Sequence, residues 1–94
     1  MLALPLRTGL RVHELSLVSS AIAQAVDAAR RAGASRIRQL TFSLPSDGHV
    51  TEDAVRLLVE ALGRGTAAQD AAVSFEPCTN GDFELASIDV QVDD

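Results

Sequence analysis

His13 and Glu14 stand side by side near the start of the chain. An imidazole and a carboxylate are borderline ligands that suit nickel, copper or zinc, but an adjacent pair carries little information alone, since a solvated His ahead of a helix looks the same. The other chemistry-bearing residues are sparse. Cys78 is the only cysteine, so it cannot form an internal disulfide or supply a four-ligand zinc site by itself. His49 follows the turn-like run Pro45-Ser46-Asp47-Gly48 and reads as a turn or surface residue. No Ser or Cys stands beside a plausible His base, and there is no His-x-x-x-His pair. Gly63-Arg64-Gly65-Thr66 closes a helical pattern instead of opening one, which is the wrong context for a phosphate-cradling loop. The expectation is a binding domain without enzymatic activity.

Positioning such a pair requires a fold, and the hydrophobic pattern supplies one. Leu15, Val18, Ile22, Ala25, Val26 and Ala29 recur at helical spacing, with Arg30, Arg31 and Gly33 as a stop. Leu40, Phe42 and Leu44 alternate with Gln39, Thr41 and Ser43, the period of a strand with one buried face. Thr51 is placed to cap a second helix, with Glu52 and Asp53 in its first turn and Val55, Leu58, Val59 and Leu62 as its apolar stripe. The last third reads as a hairpin, residues 72–78 and 82–92 around Asn80-Gly81, a pair suited to a type I′ turn. That register sets Phe75 opposite Ala86 and Val73 opposite Ile88. The predicted fold is α+β: two helices on one face of a mixed three-stranded sheet, in the order helix, strand, helix, strand, strand. In this register Cys78, Phe83 and Leu85 fall on the far side of the sheet, as a surface for a partner or for self-association into a homodimer.

Composition narrows the function further. A chain of 94 residues makes one core, and a net charge of -5 with scattered arginines argues against nucleic acid. Residues 1–11 show no clear period, contain Pro5 and Gly9, and read as a loose extension ahead of a domain over 12–94. The opening apolar run has no preceding basic residue and is broken by Pro5, so neither a signal peptide nor a membrane anchor fits, and cytoplasmic residence is expected.

The run Val12-His13-Glu14-Leu15-Ser16 resembles the Met-His-Glu-Leu-Ser start of the HypA/HybF family, accessory proteins that help insert nickel into [NiFe] hydrogenases. The likeness continues through Leu44 to Val50, Ala54-Val55-Arg56, Glu60-Ala61-Leu62 and Gly65-Thr66, and ends in Asn80 to Leu85 and Ser87 to Val90. The resemblance implies a nickel(II)-binding metallochaperone whose ligands include His13 and Glu14, with a nickel-inserting GTPase or the hydrogenase large subunit as partner. It also exposes departures. The family's zinc module, with two Cys-x-x-Cys pairs between the last two strands, is replaced here by Pro77-Cys78-Thr79-Asn80, so no structural zinc is expected. The family's acidic position near the second helix falls on Thr51, with Asp47 or Asp53 as the nearest substitutes.

The family's terminal amine is also missing, because eleven residues precede Val12. All eight basic residues are Arg, a bias of GC-rich coding sequence, in which an initiating GTG reads as Val. The expectation is a natural start at position 12. The alternative function is a degenerate relative that has lost metal and acts as an interaction module in the same pathway.

Overall fold

A computed structural model describes residues 3–45, 50–77 and 82–92, with side chains from residue 14 onward. The elements are α1 (Ala3–Arg31), β1 (Ala34–Leu44), α2 (Glu52–Gly63), β2 (Ala72–Pro77) and β3 (Glu84–Val92). This is the predicted α+β order, two helices and a mixed three-stranded sheet.

The stripe of α1 packs as its spacing requires, with Val18, Ala21, Ile22, Ala25 and Ala29 all buried. Three of these are alanines, which let the helix axis come close to its neighbours. Arg30 and Arg31 occupy the last turn, and Gly33 takes the left-handed conformation at φ 74°, its N–H donating to the Arg30 carbonyl at 3.0 Å.

The start of α1 differs from the expectation for residues 1–11. The backbone is helical back to Ala3, so the segment from there to Arg11 continues the helix instead of forming a loose extension. Pro5 falls in the first turn, where a missing N–H removes no intrahelical bond, and Gly9 costs only about 1 kcal/mol among residues of good helix propensity. At 29 residues α1 is about 43 Å long. Among the residues whose side chains are described, the positions it buries lie between Val18 and Ala29.

α2 is the local reading realised. Thr51 has extended backbone, φ -101° and ψ 154°, and its hydroxyl accepts from the Ala54 N–H at 3.2 Å. Val55 and Val59 are buried, and the helix ends at Gly63, which packs against the following turn. There the Thr66 hydroxyl donates to the Gly63 carbonyl at 2.7 Å and accepts from the Ala68 N–H at 3.0 Å. This turn carries the Ala67 carbonyl to the Ile37 N–H at 2.9 Å, tying the end of α2 to β1.

The sheet order is β2-β1-β3, with β2 parallel and β3 antiparallel to β1. The expected hairpin is therefore not formed: Val73 lies beside Leu40 and Phe75 beside Phe42, and Ile88 meets Leu40 from the other side. The reason is that β1 is the longest and most buried strand, with Ile37, Leu40 and Phe42 at 2% exposure or less, and the central position gives it ladder bonds on both edges. Strands two places apart are roughly 9–10 Å from each other. The connection over residues 78–83 is long enough for that step; the Asn80-Gly81 turn itself lies outside the described residues.

The expected exposed strip changes sides for the same reason. Along β3, Ser87 pairs with Thr41 and Leu85 with Phe42, leaving Ala86 as an unpaired bulge residue that shifts the alternation by one. Phe83 and Leu85 consequently pack against the core with Val73, Phe75, Ile88 and Val90, on the helix-covered face. Cys78 lies outside the described residues. The opposite face is polar, where the Gln39 amide donates to the Ser74 hydroxyl at 2.6 Å and the Thr41 and Ser74 hydroxyls lie 2.9 Å apart.

Candidate metal centre

The backbone of His13 and Glu14 belongs to α1, ahead of Val18, the first buried residue among those of the helix whose side chains are described. Glu14 is half-buried, and Leu15 beside it is 43% exposed. Beyond the first four residues of a helix each backbone N–H donates to the carbonyl four residues back, so the amides of Val12 and His13, well inside α1, have helical partners. A backbone amide becomes a nickel ligand only by giving up its proton, and here it would give up its helix bond as well.

Of the residues considered as further ligands, Thr51 and Asp53 are among those described. Thr51 uses its hydroxyl as the cap of α2, and Asp53 is an exposed carboxylate in the first turn, where the helix dipole favours it. Asp47, His49 and Cys78 lie outside the described residues. Among the described residues no three His, Cys, Asp or Glu come together as a ligand set.

One polar side chain of consequence was missed by pattern reading. Arg56 on α2 donates to the Val73 carbonyl at 3.1 Å and covers the Phe75 ring with its guanidinium 5.1 Å from the centroid. Its position on the outer side of the α2 stripe was visible in the sequence. Only the parallel β1-α2-β2 crossover, however, places that side above the edge of β2.

Comparison with known proteins decides the kinship. The chain is 34% identical over 65 residues to the hydrogenase maturation factor HypA of Methylocella silvestris, covering 69% of this chain and 58% of that protein. It is 35% identical over 65 residues to HypA of Pyrococcus furiosus, covering 69% and 47%. For HypA of Rhizobium leguminosarum bv. viciae the figures are 34% over 62 residues, 66% and 55%. The chain is HypA-like. It spans about half the length of the curated relatives it matches. No protein-family model matches the chain. The HypA-like stretch covers two thirds of a chain whose described residues include no helix long and apolar enough to cross a membrane.

Proposed function

We propose that this HypA-like chain is an accessory domain of hydrogenase maturation that carries nickel(II) as cargo, held through His13 and Glu14 in a working unit over residues 12–94. The observation that carries this reading is the likeness to proteins named hydrogenase maturation factor HypA, together with the His-Glu pair that the sequence places in α1. Imidazole and carboxylate are donors that nickel(II) accepts. Successive helix positions are about 100° apart around the axis, so two neighbours hold a metal loosely and leave coordination positions to water or to a receiving protein. A loose hold suits a cargo that must be passed on.

The domain docks on a nickel-inserting GTPase or on the hydrogenase large subunit in the cytoplasm, works without catalysis of its own, and needs no structural zinc. The test is complementation. A strain lacking this chain should lose nickel from its hydrogenase and recover it with the wild-type gene but not with His13→Ala. Full recovery with His13→Ala would remove nickel carriage and leave an interaction module in its place.

A further inference from the structure

Leu57 on α2 is 67% exposed, more than any other large apolar side chain among the described residues. Helix positions are about 100° apart, so Leu57 points away from the side on which α2 buries Val55 and Val59, and the exposed Ala61 follows it one turn later. Leu62, next to Ala61, lines an open groove of about 440 Å³ between α1 and α2, together with Ile22, Ala23 and Val26 and with Asp27 and Arg30. A lone surface leucine needs no explanation, but here a leucine, an alanine one turn on and an apolar groove stand in succession on the helix layer.

The charges of α2 indicate what covers this tract. Asp53 stands in the first turn and Arg64 caps the last, about 16 Å apart along the axis and too far to meet within one chain. Asp53 is exposed and joins no ion pair among the described residues. Arg64 touches Glu60 only at 4.0 Å, with the Arg64 side chain 76% exposed, which leaves its guanidinium room for a second carboxylate. Viewed down the helix, Asp53 and Arg64 lie within about 20° of each other on the same flank of the line from Leu57 to Ala61. A two-fold axis between antiparallel helices brings like flanks together. If Leu57 of each copy lies over Ala61 of the other, Asp53 of one comes level with Arg64 of the other to within about one residue. A parallel pair would instead set Asp53 against Asp53 and Arg64 against Arg64. The apolar tract and the charges therefore ask for one register and one partner, a helix of the same sequence running the other way.

We propose that α2 is a self-association face, through which two copies of this chain pair by antiparallel α2 helices. The Leu57 side chain of each copy covers Ala61 of the other beside the α1–α2 groove, and Asp53 and Arg64 of opposite copies meet at both ends of the contact. A contact centred on one helix from each copy is at the small end of specific interfaces, so the association is weak and reversible. This inference does not depend on nickel binding.

Sedimentation equilibrium of the full chain from about 10 µM to about 1 mM should follow a monomer–dimer equilibrium. Leu57→Lys should weaken the dimer by about tenfold or more, with circular dichroism unchanged because the position is open to solvent. Asp53→Arg and Arg64→Asp should each weaken it by about threefold or more, whereas the chain carrying both changes should return to within about twofold of the wild type. Leu57→Lys and Arg64→Asp alter exposed side chains, and they keep the test valid if Asp53→Arg disturbs the first turn of α2. A chain monomeric throughout that range, a dimer unaffected by Leu57→Lys or by Arg64→Asp, or a folded double variant no tighter than either single one would each overturn the proposal.

Discussion

The ring of Phe83, just ahead of β3, stacks on the ring of Phe42 in β1 with centroids 5.3 Å apart and planes 17° from parallel. On its other side Phe42 meets Phe75 of β2 at 6.2 Å. The three phenylalanines of the protein thus form a row across the sheet in the order of its strands. Phe42→Ala should cost about 3–5 kcal/mol, since the ring is fully buried. A double-mutant cycle of Phe42→Leu and Phe83→Leu in urea should show a coupling of about 0.5–1.5 kcal/mol. Additive single effects would deny the stack.

Gly63 is predicted to resist the usual helix improvement. Gly→Ala in a helix ordinarily gains up to about 1 kcal/mol. A Cβ at Gly63 would lie 3.2 Å from the Ala68 carbonyl oxygen, which belongs to the turn tied to β1. Gly63→Ala should therefore lose about 1–2 kcal/mol by thermal or urea denaturation. Gly33→Ala should lose a similar ~1–2 kcal/mol for a different reason, its positive φ, since the space around it is open.

Thr51 gives a prediction that separates capping from metal. Thr51→Ala should destabilise the protein by about 0.5–2 kcal/mol through loss of the α2 cap, with nickel affinity unchanged. Thr51→Asp should keep the cap and change stability by less than about 0.5 kcal/mol. It also restores a carboxylate where the HypA resemblance expects one, and calorimetry should then show tighter nickel binding than the wild type. A fall in nickel affinity in Thr51→Ala, with the protein still folded, would make Thr51 a ligand and refute its purely structural role.

How much of this was legible depends on whether a signal is local. α2 could be read because its cap, its acidic first turn, the Val55 and Val59 stripe and the Gly63 stop all sit within the helix or beside it. Strand pairing could not, because the alternation of Val73, Phe75, Ile88 and Val90 fits either neighbour equally. Asn80-Gly81 argued for the nearer one, whereas the long, buried β1 won both edges. The bulge at Ala86, which turned Phe83 and Leu85 inward, leaves no mark in residue type. At the candidate site, His13 stood out by residue type alone, but its amide's engagement depends on α1 reaching back to Ala3, which the aperiodic opening residues concealed.

That engagement makes the residues before Val12 a variable worth testing. A version of the protein beginning at position 12 has a free amine next to the His13 amide and imidazole, donors that close fused chelate rings around square-planar nickel(II). It should bind nickel at least about tenfold, or roughly 1.4 kcal/mol, more tightly than the 94-residue chain. Equal affinities in competition titrations would show that the amine adds nothing.

The most direct measurement is calorimetric titration of nickel(II) into the full chain and into His13→Ala, with circular dichroism confirming that both are folded. The account predicts one saturable site in the wild type, weakened by about tenfold or more in the variant, because the imidazole is the stronger of the two side-chain donors. Identical isotherms for the two proteins, or no saturable binding to either, would contradict it.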